Sequence, residues 1–443
     1  MRLKKMMQTT TTTTMITKTT AFDDNYRVRV VEGVSTMRAR KSVRARSSFK
    51  RAMKSSSAMS AQAAVEGLKG SKGTLGRARG RADERTDSKA ESLLSIWLQR
   101  EAQRGNLDED LVVVLRAISI ACKRISGLVK AAPLQGNIGL AGGKNESGDE
   151  QKKLDVIAND VFLDAVKSCG RSSVIVTEEE DHPVFSATKV GNGDFIVTFD
   201  PIDGSSNIDA CVTTGAIFGI YSPGECDIDP SESAEKILEN CTLNAMQSGE
   251  NLVAAGYCMF SSSCVFMITT GHGVYGFTLD EQIGEFVLSH DDQKIPDGKE
   301  MKRIYSGNNG NVDLWAPELK DYVSKLQTGE IEIDGKIGNP WSYRYIGALI
   351  GDFHRTLLYG GIWLYPPDAK APEGKARLLY EVAPIAYIAE QAQGMATRGK
   401  FANERVMEVK PTSIHQKSPM FVGSTSAVLG LQKFLKDRAN TKR

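Results

Sequence analysis

The 443 residues contain no apolar run of the ~18 residues that a membrane-spanning helix requires, so the chain is read as one with no membrane partner. Cysteine is scarce, odd in number and scattered, at 122, 169, 211, 226, 241, 258 and 264, which excludes the disulfide framework of a small secreted domain. Cys122, Cys169, Cys211, Cys258 and Cys264 lie in apolar or strand-like contexts and are expected to be buried small hydrophobes. Acids are nearly missing from the start of the chain. Residues 1–82 hold 19 Lys and Arg against 4 Asp and Glu, and the remainder holds 37 against 50. The acidic body argues against nucleic acid as a partner. The basic start is also followed by no continuous apolar core, which excludes a secretory signal. Its Thr, Ser, Arg and Ala richness, with Thr9 to Thr14 unbroken, is that of an organelle transit peptide spanning 1–85. The rival reading is a basic arm that binds an anionic partner.

Beyond residue 85 there is no repeat and no low-complexity stretch. Overall hydrophobic content is 41% and charged content 25%, ordinary for a globular protein with ample chain for two domains. The chain divides into an N-terminal domain, 86–300, and a C-terminal domain, 301–443. Apolar residues at helical spacing predict helices over Leu93–Glu101 and Asp108–Val129, with Asp108 as N-cap. A Gly-rich loop, 136–148, precedes a helix that opens near Asp149 and carries Asp155 in its first turns. Ser173–Thr177 reads as a strand ending in four acids, Glu178 to Asp181. Further strands are expected at 213–221, 251–259, 264–270, 274–279 and 284–288, joined by antiparallel hairpins. An acidic loop covers 222–241. A second alternation of strands and helices runs from about 301 to a closing helix at Ala427–Leu435.

The central stretch is Phe199-Asp200-Pro201-Ile202-Asp203-Gly204-Ser205-Ser206-Asn207. The run Phe195–Phe199 reads as a buried strand that stops at Asp200, where Pro201 denies the ladder a donor. Taken alone, Asp, Pro, Gly and Ser are what turns are made of. At the carboxyl end of a strand, however, Asp200, Asp203 and the Ile202 carbonyl can aim at one point, and Gly204-Ser205-Ser206 allows close approach of backbone N–H groups to a phosphate. Glu178 and Glu179 end a neighbouring strand, Asp149 and Asp155 precede them, and Glu381 follows on what reads as another strand end. Carboxylates without His or Cys suit Mg²⁺ or Mn²⁺ rather than Zn²⁺. Paired ions of this kind, about 3.5–4 Å apart, serve in-line phosphoryl displacement, one lowering the pKa of a water and another holding the leaving oxygen.

These motifs resemble the Mg²⁺-dependent, Li⁺-sensitive sugar and inositol phosphatases. Lys152-Lys153-Leu154-Asp155, Asn251 to Tyr257, Arg344-Tyr345-Ile346-Gly347, His354-Arg355-Thr356 and Lys375 to Glu381 are similar to class I fructose-1,6-bisphosphatases, over nearly all of residues 90–435. The resemblance implies an α/β fold, a layered sandwich of two domains active as a homotetramer. It implies hydrolysis of fructose 1,6-bisphosphate to fructose 6-phosphate with two to three Mg²⁺ per subunit. By the same resemblance Asp149, Glu178, Asp200, Ile202, Asp203 and Glu381 hold metal, and Glu179 acts as general base with Asp155. Asp203, Gly204, Ser205 and Ser206 hold the 1-phosphate. Asn308, Tyr345, Tyr365, Lys375 and Arg377 bind the sugar and 6-phosphate, and Arg344 reaches the 6-phosphate of a neighbouring subunit. The nearest enzyme alternative is sedoheptulose-1,7-bisphosphatase, against which Arg344-Tyr345 argues. A catalytically inactive regulatory relative would lack one of the carboxylates, and all are present.

The sequence departs from the family in places. Asn308-Asn309-Gly310-Asn311 stands where Asn-Glu-Gly-Tyr is usual. Gly105-Asn106-Leu107-Asp108-Glu109-Asp110 replaces the AMP-binding segment of cytosolic members, and Asp194-Phe195 replaces a Lys-Tyr pair that also contacts AMP. Ser222 stands where an Arg is expected. These changes imply an enzyme that AMP does not inhibit. The stretch 222–246, with Cys226 and Cys241, resembles the redox loop of plastid members, whose disulfide thioredoxin reduces, which implies a Calvin-cycle enzyme of the chloroplast stroma. Met246 stands where a third cysteine is often found. Closing a loop of about 15 residues contributes roughly 3 kcal/mol in the chain-entropy account.

Overall fold

Two helices open the described part of the chain, Leu94–Gln103 and Glu109–Gln135. The Asp108 carboxylate accepts the Asp110 and Leu111 N–H groups at 2.7 and 3.4 Å and so starts the second, as its sequence predicts. The computed structural model describes residues 93–144, 150–185, 195–222, 233–333 and 335–441. The basic segment 1–85, Asp149 and Cys226 lie outside these residues.

An eight-stranded sheet follows, in spatial order Glu285–His290, Tyr275–Asp280, Cys264–Thr269, Leu252–Phe260, Thr214–Tyr221, Phe195–Asp203, Ser172–Thr177 and Val184–Phe185. Every neighbouring pair is antiparallel except Ser172–Thr177 with Phe195–Asp203, which run parallel. That one parallel pair puts two acidic strand ends, Glu178 and Asp200, at the same edge. A six-stranded sheet is built from the later residues, with Ile304–Ser306 and Ile362–Tyr365 in parallel as its second and third strands. Among the described residues no helix is long and apolar enough to cross a membrane.

Three cores separate the layers. Phe195, Val197 and Phe199 face a core shared with Leu115 and Phe162 of the helices Glu109–Gln135 and Lys153–Ser168. Ile196 and Ile217 face the opposite core, shared with Phe353, Ile385 and Trp363. A third core joins the far side of the second sheet to the helices Pro317–Thr328 and Thr425–Thr441 through Tyr305, Tyr322 and Leu431. The order is therefore helix, sheet, helix, sheet, helix. A strand buried on both faces reads as an unbroken apolar run, which is what Phe195–Phe199 is.

The structure corrects several expectations. The central strand does not stop at Asp200 but runs to Asp203, with a register shift between them. Pro201 falls in that bulge, where the ladder asks for no donor, and the bulge re-aims the side chains. Part of the supposed loop 222–241 is a helix, Ala234–Ala245, because Ile237, Cys241 and Ala245 recur every four residues and pack on the core. Residues Glu150–Lys152 form a short strand against Leu140–Lys144, and the helix begins at Lys153. Glu381 is not at a strand end; it lies in a π-helical turn, Leu378–Val382, that enters the helix Ala383–Gln391. Of the five cysteines expected to be buried, Cys211 is exposed and Cys169 half-buried.

Candidate active site

The bulge after Phe199 delivers Asp200 and Asp203 to a cleft of about 490 Å³ between the two sheets. Asp200 Oδ1 accepts the Ile202 N–H at 2.9 Å, which closes the turn around Pro201. Asp203 receives the Leu349 and Ile350 N–H groups, one on each oxygen, at 3.1 and 2.8 Å. It thereby seats the positive end of the helix Leu349–Tyr359 against the motif. Carboxylate oxygens of Asp200, Asp203 and Glu381 lie within 4.8 Å of one another, and all three residues are buried.

Glu381 is held by its turn. Its carboxylate accepts the Arg377 N–H, and the Leu379 carbonyl that the π turn leaves over accepts Thr198 Oγ1 at 3.3 Å and the Tyr221 hydroxyl at 3.0 Å. Arg377 Nη2 stands 3.4 Å from Glu178 Oε1, beside the cluster of carboxylates. Burial first, and the neighbouring carboxylates after it, push Asp200 well above the ordinary carboxylate range. Burial likewise raises Asp203 to about 7, against the pull of the two helix N–H groups, and Glu381 to about 8. Oxygen donors without His or Cys fit hard divalent cations. The residues able to hold them are Glu178, Asp200, the Ile202 carbonyl, Asp203 and Glu381.

Asp155 and Glu179 do not line the cleft but stand beside Glu178, whose charge raises both. Burial is the main cause, and each carboxyl reaches about 7. Asp155 Oδ2 accepts the Lys152 N–H at 2.9 Å in a capping box, while its buried Oδ1 has no protein hydrogen-bond partner. Gln151 Nε2 donates to Glu179 at 2.5 Å.

Gly204 has φ +79°, and a Cβ there would meet Ala348 Cβ at 2.7 Å; only glycine lets the chain turn into the short helix Ser205–Asn207. Ser205, Ser206, Tyr345, Tyr365, Lys375 and Arg377 line the rest of the cleft. Asn308 and Arg344 are not among its lining residues. Asn308 instead accepts the Gly310 N–H at 3.2 Å, and Arg344 is exposed and donates to the Tyr343 carbonyl at 2.8 Å. Cys241 is buried in its helix and disulfide-bonded.

Sequence reasoning missed three residues. Asp352, 1% exposed, accepts the Ile346 and Gly347 N–H groups at 3.0–3.1 Å and pairs with Arg355 at 2.6 Å, so it fixes the turn that follows Tyr345. Lys417 lines the cleft beside Arg377 through an isolated bridge. Asp209 binds both the Lys152 ammonium at 2.7 Å and the Gly139 N–H at 2.8 Å, tying the hairpin before Asp155 to the central motif. Only Asp352, an acid in the first turn of a strongly amphipathic helix, carried a local signal.

Comparison with known proteins agrees with this geometry. The family model described as the N-terminal domain of fructose-1-6-bisphosphatase matches residues 92–291, and that of the C-terminal domain matches 298–436. The chain is similar to the chloroplastic fructose-1,6-bisphosphatase of Triticum aestivum, 49% identical over 343 residues, covering 77% of this chain and 81% of the relative. It is similar to that of Spinacia oleracea, 47% identical over 367 residues, covering 82% and 86%. The crystal structure of the Leishmania major fructose-1,6-bisphosphatase in holo form superimposes with a TM-score of 0.70 at 38% identity, covering 78% of this chain and 99% of that one. With both domain models matched in order, and with the acidic cleft lying where the two sheets meet, the chain belongs to the fructose-1,6-bisphosphatase family.

Proposed function

We propose that the protein hydrolyses fructose 1,6-bisphosphate to fructose 6-phosphate and phosphate. The observation that carries this reading is the convergence of Asp200, Asp203 and Glu381 opposite a wall that bears Ser205, Ser206, Tyr365 and Lys375. Glu178, Asp200, Ile202, Asp203 and Glu381, joined by Asp149, hold two to three Mg²⁺, or Mn²⁺. Bound there, the ions supply Lewis-acid activation of a water and neutralise phosphoryl charge. Glu179, oriented by Gln151, takes the proton of the attacking water, and Asp155 holds the neighbouring position. The backbone of Gly204, Ser205 and Ser206 cradles the 1-phosphate. Tyr345, Tyr365, Lys375, Arg377 and Asn308 take the sugar and 6-phosphate. Arg344, exposed on its own subunit, serves a neighbour in a homotetramer. Residues 86–300 act as the metal-binding domain and 301–443 as the sugar-phosphate domain, a division that the separate family matches support.

The names of the plant relatives and the basic, hydroxyl-rich start support residence in the chloroplast stroma and a place in the Calvin cycle. The disulfide at Cys241 supports redox control: thioredoxin reduces a Cys226–Cys241 bond and activates the enzyme, and AMP does not inhibit it. Phosphate release from fructose 1,6-bisphosphate, with and without Mg²⁺ and before and after dithiothreitol, tests the reading. Mg²⁺-dependent release that rises on reduction is expected. No release under any of the four conditions would overturn the function, and equal rates before and after reduction would remove the switch. Faster release from sedoheptulose 1,7-bisphosphate would reassign the substrate. Inhibition by micromolar AMP would refute the claim of insensitivity.

A further inference from the structure

A second thiol pair lies away from the cleft. Cys258, in the strand Leu252–Phe260, and Cys264, in the next strand, sit diagonally across their hairpin, for Cys258 is paired with Phe266 and Cys264 with Phe260. Both side chains therefore point to one face, and their sulfurs are 3.5 Å apart. A disulfide has S–S of about 2.05 Å, so roughly 1.5 Å of closure joins them. Cys258 is 0% and Cys264 2% exposed, and both are free thiols. The helix above contributes Cys122, also buried and against Cys258, and the buried Ser126, which stands beside Cys264.

The two thiols are not equivalent. The hydrogen bond from Cys258 lowers the Cys264 thiol, with help from the Lys130 charge, and burial raises Cys258. The hairpin tip is also wired to the phosphate cradle. Ser261 Oγ and Thr213 Oγ1 are 2.9 Å apart, and the Thr213 carbonyl accepts the Asn207 side-chain amide at 3.1 Å.

We propose that Cys258 and Cys264 form a second thiol–disulfide couple, distinct from the bond at Cys241, that a small peroxide oxidises. The Cys264 sulfur attacks one peroxide oxygen, the O–O bond breaks, and the departing oxygen leaves as water with the thiol proton. The Cys258 sulfur then attacks the sulfenic sulfur; the S–S bond forms, the S–O bond breaks, and the second oxygen leaves as water with the Cys258 proton. Two thiols lose two electrons and two protons, and hydrogen peroxide becomes two waters. Burial excludes a protein reductant, so a small dithiol reverses the step.

The test uses the full chain, reduced with dithiothreitol, freed of it and titrated with hydrogen peroxide. After quenching in acid, pepsin cleavage after Phe260 separates the two cysteines unless they are bonded. The peptides bearing Cys258 and Cys264 are expected to remain joined, lighter by two hydrogens, and to part on reduction, with free thiol at both positions falling at least about tenfold. Cys122→Ala should keep the product. In Cys258→Ala, dimedone should trap a sulfenic acid at Cys264, and in Cys264→Ala none should be found at Cys258. Both thiols remaining free at a peroxide concentration that fully oxidises the exposed Cys211 would overturn the proposal, a result read on the unsubstituted protein and independent of how the variants fold. The link to the cleft rests on the proposed activity: KM for fructose 1,6-bisphosphate should change on peroxide treatment in Cys226→Ser, where the proposed Cys226–Cys241 bond cannot form, and not in Cys226→Ser/Cys258→Ala; an unchanged KM in Cys226→Ser would sever the link to the phosphate cradle.

Discussion

Asp203 serves two neighbours at once. It offers its carboxylate to the cleft, and it terminates the backbone of the helix Leu349–Tyr359. Asp203→Asn keeps an acceptor for only one of those N–H groups and removes the charge, so kcat should fall by at least about a hundredfold, with about 1 kcal/mol of stability lost for the N–H left bare. Asp203→Ala should lose the same activity and in addition about 1–3 kcal/mol in urea unfolding, because two buried donors are left bare. A stable, active Asp203→Ala protein would contradict both roles. Gly204→Ala places a Cβ 2.7 Å from Ala348 in a left-handed backbone, and should cost about 1–3 kcal/mol and raise KM. Asp352→Ala removes the carboxylate paired with Arg355, leaving that guanidinium Ser306 Oγ and the Arg344 carbonyl, and releases the turn beyond Tyr345. A loss of about 3–5 kcal/mol is expected by thermal or urea unfolding, with KM raised through Tyr345.

At the scale of elements, the π turn Leu378–Val382 sets where Glu381 points. Its extra carbonyl, Leu379, is satisfied by Thr198 and Tyr221 from two strands of the other layer. Tyr221→Phe leaves one bond in place and should cost about 1 kcal/mol. Thr198→Val combined with Tyr221→Phe leaves the carbonyl bare, so the double variant should lose more than the sum of the singles and kcat should drop as Glu381 drifts. Strict additivity with full activity would show that the turn holds itself. Nothing in the local sequence around Glu381 announces a π turn, since the strain of such a turn is tolerated only where outside donors meet it.

At the scale of the molecule, buried carboxylates face one another across the layers. Asp155, Glu179 and Asp203 sit near 7 and Glu381 near 8, all above their ordinary values of 3.8 and 4.5. A carboxyl that binds its proton more tightly when folded stabilises the fold fully below its unfolded value, and that contribution fades as pH rises through the folded one. With a chelator present, Tm should therefore fall between about pH 5 and pH 8. Mg²⁺, binding the native state alone, should raise Tm most at the alkaline end and flatten the slope. A chelated Tm that rises across that window would refute the electrostatic account of the site.

The chain by itself determined the things that depend on short spacings and on chemical type. Phe195–Phe199 had to be a buried strand, Asp108 a cap, Gly204 a tight turn, and a set of oxygen donors without His or Cys a site for hard cations. Its motifs carried the family, and with it the layered fold. The tertiary structure alone decided the rest. Whether Pro201 ends a strand or sits in a bulge depends on the neighbouring strand's register, and whether Ala234–Ala245 is loop or helix depends on a core to bury Ile237 and Cys241. Asp209 and Lys417 gained their roles from partners brought near only by folding, because a hydrogen bond or ion pair acts over a few ångströms of space and not along the chain.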